Sequence, residues 1–169
     1  MATYIKIATV TVPATPQATI DFTSIPSTYT DLLIKLSHRD NRAGSVLNGL
    51  VIRFNGSSTG FTSRVIEGSG SAASSFTDTQ GLTGENTSAS ATASTFSSTD
   101  IYIPNYTSAN NKSFSFDSVT ENNATAAYAD LGAGFWSNTA SISSISLTSL
   151  NSASFVQYTT ATLYGISKS

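Results

Sequence analysis

The chain has 169 residues, a formal net charge of −2 and no cysteine. Its length suits one domain with a sizeable buried core, and the lack of cysteine excludes thiol catalysis, thiolate metal sites and disulfides. The basic residues are few and scattered, so the chain carries no electrostatic footprint for nucleic acid. About a third of the residues are Ser or Thr and only 11% are charged, against ~25% in an average domain. We expect such a weakly charged, hydroxyl-rich surface in a protein that packs into a larger assembly.

Apolar and polar side chains alternate along most of the chain, which is typical of antiparallel strands with one buried face. Strands are predicted, in chain order, at 4–12, 18–22, 31–38, 49–55 and 61–67, then in a strand–turn–strand hairpin over 101–121, and at 141–148 and 155–166. The pattern therefore predicts an all-β fold, an antiparallel β-sandwich that is jelly-roll-like and has about eight strands. Its expected core includes Ile34, Leu36, Leu50, Ile52, Phe54, Ile101, Ile103, Phe114, Phe116 and Leu163.

Two segments depart from this alternation. Residues 68–98 are Ser, Thr, Ala and Gly with isolated apolar residues, and a loop of that length is uncommon in a compact domain. We expect a single domain over 1–169 in which 68–98 is a polar, low-complexity excursion that orders against a neighbour. A short edge strand fits 74–79, and deletion of 70–96 is expected to leave a folded domain. In residues 125–136 the alanines suit a helical turn, but Gly132 and Gly134 argue against a long one.

The single histidine lies in a sequence that resembles a catalytic motif only in its first letters. His38-Arg39-Asp40 matches the start of the kinase catalytic loop, but the position that should hold a metal-binding Asn is Ser45. A Ser-His-Asp triad would have to use His38, and serine is so abundant that such a pairing carries no information. We therefore interpret this segment as a polar strand end that leads into a loop.

Paired carboxylates are the remaining candidates for catalysis. Asp117 and Glu121 share strand parity, as a glycosidase pair would need, but this spacing is equally typical of a solvated sheet face. Asp78 and Glu85 lie in no calcium-loop pattern. The sequence therefore predicts a protein that is not an enzyme and that needs no cofactor and no metal.

Aromatic residues are more often core or subunit contacts than sugar-binding platforms. The residues considered for a sugar-stacking platform are Tyr102, Tyr106, Tyr128, Phe135 and Trp136. Since Tyr and Trp are enriched at interfaces, the predicted subunit-interface residues are Tyr102, Tyr106 and Trp136, together with Phe76 and Leu82 from the polar excursion.

The sequence contains no targeting or membrane signal. No apolar region follows the first lysine, so no secretory signal is expected. No window approaches the ~20 apolar residues of a membrane span. We expect a protein made in a host cytoplasm that has no membrane partner; if it ends outside the cell, host lysis is one way out.

Four segments together resemble small virion proteins of tailed bacteriophages. They are residues 1–12 (MATYIKIATVTV), 22–37 (FTSIPSTYTDLLIKLS), 101–128 (IYIPNY…NKSFSFDSVTENNATAAY) and 155–166 (FVQYTTATLYGI). The resemblance implies a β-rich virion component with a jelly-roll-like domain, often assembled as a homotrimer. It implies no active-site residues.

Two roles are open within that class. One is a capsid decoration, or cement, protein that binds the major capsid protein from outside and stabilises the shell. The other is a tail-fibre or receptor-binding module that recognises a host surface glycan. The first is favoured because the predicted first strand starts close to Met1, whereas a fibre needs an anchor and a shaft. A lectin and a hydrolase are further alternatives; a hydrolase would show buried acids with shifted pKa values.

Overall fold

A computed structural model describes residues 3–123 and 126–167, and within these ranges the chain forms β-strands and no helix. The strands are β1 (Thr3–Thr11), β2 (Thr19–Phe22), β3 (Asp31–His38), β4 (Leu47–Phe54), β5 (Phe61–Gly68), β6 (Ala73–Asp78), β7 (Leu82–Thr87), β8 (Ser97–Ile103), β9 (Lys112–Val119), β10 (Ala129–Trp136), β11 (Ile145–Ser149) and β12 (Thr160–Ser167). The predicted all-β fold is confirmed, but the described residues hold twelve strands, more than the predicted eight.

The strands form two antiparallel sheets. The large sheet has the order β1-β12-β3-β8-β9-β10-β5-β6, and the small sheet has the order β2-β11-β4-β7. The chain passes back and forth between the sheets, because β2, β4, β7 and β11 lie in the small one and the strands between them lie in the large one. This crossing pattern defines a jelly-roll-like sandwich.

The extra strands are additions to an eight-strand jelly roll. Without the additions, the large sheet has the order β3-β8-β5-β6 and packs against the small sheet, β2-β11-β4-β7. These are the two four-stranded sheets of a jelly roll. The β9–β10 hairpin is inserted between β8 and β5, and the β1–β12 pair extends the sheet beside β3. The additions widen the large sheet without adding a layer.

The core lies between the sheets, and all ten predicted core residues are buried. An aromatic cluster fills one end, where the rings of Phe54, Phe61, Phe114 and Trp136 pack with centroids 5.5 to 6.0 Å apart. Edge-to-face and offset contacts of this kind are the favoured arrangements of aromatic pairs. The large sheet is therefore anchored to β4 of the small sheet by ring packing.

The two glycines of β10 lie directly opposite the two phenylalanines of β9. Gly132 pairs with Phe116 and Gly134 pairs with Phe114, and a Cβ at either glycine would collide with the facing ring. The glycines therefore belong to a strand whose inner face is covered by its neighbour's rings. Within 126–136 there is no helical turn, so that interpretation is wrong for these residues; Thr125 lies outside the described residues.

The predicted polar excursion over 68–98 contains two strands. The short edge strand expected at 74–79 is confirmed as β6, but β7 is an integral strand of the small sheet. Thr83, Asn86 and Thr87 of β7 are completely buried. The expectation that this part stays outside the core is wrong, because polar side chains can be buried when they find hydrogen-bond partners.

Candidate functional site

The outer face of the large sheet carries a cluster of apolar side chains, which we call the outer apolar patch. Its members are Ile66 on β5, Val119 on β9, and Ala129, Leu131, Ala133 and Phe135 on β10. Leu131 and Ile66 face each other across the strand pair, and they are 62% and 59% exposed. Large exposed apolar side chains that cluster in this way mark interaction surfaces.

The other half of the same face is charged and rich in tyrosine. Lys35, Asp100 and Asp117 are aligned across three neighbouring strands, and Lys35 Nζ donates to Asp100 Oδ2. That hydrogen bond is the main reason why the pKa of Lys35 is raised, and the charge of Asp117 adds to it. Tyr102 lies in the next row, and its hydroxyl donates to Asp31 Oδ2 over 2.8 Å.

The structure divides the five predicted interface residues between the surface and the core. Tyr102 and Phe76 are both 37% exposed, whereas Tyr106, Trp136 and Leu82 are buried within the chain's own fold. For these three residues the interface prediction is wrong. Trp136 points inward and packs on Phe54 and Phe61, and the Tyr106 hydroxyl donates to the Pro26 carbonyl.

The predicted sugar-stacking platform does not exist as one surface. Phe135 and Trp136 are consecutive strand residues and therefore point to opposite faces, with Trp136 inside the sandwich. Tyr106 is also inside, whereas Phe135 and Tyr102 lie on the outer face and Tyr128 is half-buried in the segment before β10.

His38 is part of a buried polar network between the two sheets. Its Nδ1 lies 2.7 Å from Asn86 Oδ1 and its Nε2 lies 2.8 Å from Thr99 Oγ1. Burial lowers the pKa of His38 to about 4, against the weaker opposing effects of Asn86 and Asp40. The imidazole is therefore neutral at pH 7, and because Asn86 Oδ1 can only accept, Nδ1 carries the proton. Neither ring nitrogen contacts a serine, so the geometry gives His38 a structural role.

Asp40 is the second buried group of this network. Its carboxylate accepts hydrogen bonds from Ser88 Oγ at 2.6 Å, from Asn48 Nδ2 at 2.7 Å and from the Arg42 backbone N–H at 3.1 Å. Ser149 Oγ donates to the same carboxylate. A buried carboxylate with this many donors is satisfied without a paired cation, and it fixes the loop after β3 against β4, β7 and β11.

A cleft opens beside this network where β6, at the edge of the large sheet, diverges from β7, at the edge of the small sheet. We call it the inter-sheet cleft, and its volume is about 470 Å³. Its lining residues are Arg42, Leu47, Asn48, Gly49, Phe76, Thr77, Asp78, Thr79, Gln80, Leu82, Glu85, Leu150 and Asn151. They come from five separate parts of the chain, so sequence reasoning missed the cleft.

Two carboxyl groups near the cleft have raised pKa values. Burial is the main cause for Glu85, which lines the cleft, and it raises the pKa to about 7, with added repulsion from Asp130 and Glu67. Burial also raises the pKa of Asp130 to about 6, and Glu67 lies opposite it on β5. Within the described residues, Asp130 Oδ1 has no hydrogen-bond partner.

These carboxyl groups form no metal site in the part of the chain that the structure describes. There, no group of three or more His, Cys, Asp or Glu residues is placed to hold a metal ion. Asp117 and Glu121 are both exposed. Residues 3–123 and 126–167 also include no helix with the length and apolarity to cross a membrane.

Comparisons with protein-family models, with curated proteins and with solved structures find no match to this chain.

Proposed function

We propose that the protein is a structural component of a phage virion that binds the outside of the major capsid shell and stabilises it. The observation that carries this proposal is the outer apolar patch on a broad, eight-stranded sheet. Leu131, Ile66 and Val119 are large apolar side chains that the fold leaves in solvent, although each would gain ~1.5–3 kcal/mol from full burial. Their placement suits contact with another subunit.

The composition of the patch supports docking on a protein surface. Interface centres are depleted in charge, and charges border the patch on both sides, with Asp117 of β9 opposite Leu131 and Arg64 of β5 opposite Ala133. Association costs several kcal/mol of lost freedom, so a single patch of this size gives modest affinity. Repetition over a shell compensates for a weak individual contact through multivalency.

We further propose that the protein is a homotrimer on the shell and in solution. The low charge leaves little to oppose close packing of copies, and Tyr102 is a half-exposed tyrosine of the kind enriched at interfaces. Light scattering at micromolar concentration should give three times the chain mass. A monomer in solution together with monomeric density on virions would contradict this part of the proposal.

The capsid contact is tested with a charge placed in the outer apolar patch. Leu131→Lys should reduce occupancy on undecorated capsids about tenfold, equivalent to ~1.4 kcal/mol, because a lysine would have to be desolvated. Ser146→Lys is the matched control, since Ser146 lies on β11 of the small sheet and points away from the core. Equal occupancy for both variants would refute docking through this face.

A second candidate role, a tail component that recognises a host surface glycan, is favoured by the inter-sheet cleft. The cleft joins polar side chains to the half-exposed ring of Phe76. Copy number in purified virions distinguishes the two locations, because a shell protein is present in hundreds of copies and a tail protein in a handful.

A further inference from the structure

The inter-sheet cleft combines buried apolar residues with an exposed polar rim. Its most buried apolar members are Leu47 and Leu82, while Gln80 and Asn151 are exposed and Arg42 is half-buried. Ligand sites in proteins have this composition, with apolar surface and a few placed polar groups, and volumes of ~300–1,000 Å³. The cleft volume of about 470 Å³ falls within that range.

The polar wall of the cleft is held in position by one buried amide. Asn48 Oδ1 accepts hydrogen bonds from Arg42 at 3.1 Å and from Asn151 Nδ2 at 2.8 Å. Asn48 Nδ2 in turn donates to Asp40 Oδ2 and to the Leu150 carbonyl, each at 2.7 Å. Because Asn48 is almost fully buried, its two partners in the cleft are pre-oriented, and pre-orientation lowers the entropic cost of binding.

Some hydrogen-bond donors and acceptors in the cleft have no partner among the described residues and can bind a ligand. A guanidinium has five N–H donors, and the Arg42 side chain makes one hydrogen bond to the described residues. The Glu85 carboxyl makes none to residues in the ranges 3–123 and 126–167 and is partly buried beside that arginine. With a pKa raised to about 7, Glu85 is present in both protonation states near neutral pH and is able to donate or accept.

The charge balance decides the class of ligand. Arg42 provides one positive charge, and Asp78 and the half-ionised Glu85 offset it, so a phosphate or other polyanion would meet net repulsion. The carboxylates are too few for a cation site among the described residues. Mixed donors and acceptors beside Phe76 and three leucines match a molecule with many hydroxyls and apolar C–H faces.

We infer that the inter-sheet cleft is a saccharide-binding site that takes a neutral hexose unit of a surface glycan. Arg42, Asn151, Asp78 and Glu85 supply hydrogen bonds to its hydroxyls, and Phe76 supplies a ring for one face of the sugar. The inference deepens the second candidate role and rests on it. Docking through the outer apolar patch does not depend on it.

The test is a titration of the isotope-labelled protein, followed through its backbone amide resonances. The probes are the methyl glycosides of glucose, galactose, mannose and rhamnose at millimolar concentration, with glucuronate as the charged comparison. At least one neutral glycoside should give saturable shifts at Gln80, Leu82, Glu85 and Asn151. Shifts only outside the cleft, binding of glucuronate alone, or no saturable shift with any neutral glycoside would overturn the inference.

Two variants assign the binding to cleft side chains. Phe76→Ala and Asp78→Asn should each weaken the glycoside at least about tenfold, or ~1.4 kcal/mol, while Ser146→Lys leaves it unchanged. The amide spectrum itself reports whether each variant is folded, and Asp78→Asn retains an oxygen for the Gln80 backbone N–H. Unchanged affinity in both folded variants would refute the site. Because capsid occupancy is measured separately with Leu131→Lys, a failure of sugar binding leaves the capsid proposal standing.

Discussion

At the scale of single residues, His38 makes the fold sensitive to acid. Its pKa is lowered by burial to about 4 in the folded protein, below the ordinary value of 6.5. A histidine in the unfolded chain takes up a proton as the pH falls below 6.5, whereas the folded one resists until about pH 4, so this group favours unfolding in acid. As the pH falls from 6.5 to 4, protonation of His38 in the unfolded chain lowers the free energy of unfolding by about 3 kcal/mol.

His38→Gln should remove that acid sensitivity while lowering the stability at pH 7, because glutamine fills the imidazole's place imperfectly. Urea unfolding of wild type and variant at pH 7 and pH 4.5 measures both effects. We expect the difference in free energy of unfolding between the two proteins to shrink by about 2 kcal/mol at the lower pH. A constant difference would show that His38 does not titrate as its burial requires.

Glu85 has the opposite pH dependence. Its folded pKa of about 7 lies above the ordinary 4.5, so the proton that stabilises the folded protein in acid is lost as the pH rises through 7. Glu85→Gln keeps the shape and removes the charge near Asp130 and Glu67. The variant should be more stable than wild type by about 2 kcal/mol at pH 8, with no gain at pH 4.5.

Thermal or urea unfolding at the two pH values checks this prediction. Glu121→Gln is the matched control, because Glu121 is exposed and its substitution should change the stability by less than about 0.5 kcal/mol at either pH. An equal gain for Glu85→Gln at pH 4.5 and pH 8 would mean that the buried charge is not the cause.

At the scale of elements, the glycines of β10 should lower stability when replaced by alanine, the opposite of the usual effect in a strand. Replacement by alanine normally stabilises, since glycine loses the most entropy on folding. At Gly132 a Cβ would collide with the Phe116 ring, so Gly132→Ala should destabilise by about 1–3 kcal/mol. Ala133→Val on the outward face of the same strand should change stability by less than about 0.5 kcal/mol. Urea denaturation distinguishes the two, and a stabilised Gly132→Ala would contradict the ring packing.

Strands with clear alternation were predictable from sequence, and strands that depend on distant partners were not. The predicted 31–38 coincides with β3, and 61–67 lies within β5. Strand β7 reads LTGENT, and nothing in its local pattern shows that Asn86 meets His38 or that Thr87 meets Ser97. Its burial depends on hydrogen bonds that only the tertiary fold provides.

At the scale of the whole molecule, the sandwich was predictable but its surfaces were not. Alternation predicts that Phe135 and Trp136 point to opposite faces, but which face is buried depends on where the second sheet packs. The apolar residues on the outer face follow the same parity, since Leu131 and Phe135 are two positions on either side of Ala133. The inter-sheet cleft could not be predicted, because Arg42, Glu85 and Asn151 are brought together by three different loops and strands.

Deletion of residues 70–96 was expected from the sequence alone to leave a folded domain. The structure predicts the reverse, because this deletion removes β6 and β7 together. Asn86 and Ser88 would no longer bond His38 and Asp40, and an unsatisfied buried polar group costs ~1–3 kcal/mol, more when charged. Losses of that size, added to the missing edge of the small sheet, approach the ~5–15 kcal/mol stability of a whole domain. The variant should therefore give poorly dispersed amide resonances and no cooperative unfolding.

The matched control shortens only the turn 69–72 between β5 and β6, and it should keep well-dispersed resonances and cooperative unfolding. A deletion variant that unfolds cooperatively and has well-dispersed resonances would show that β7 does not hold the two sheets together.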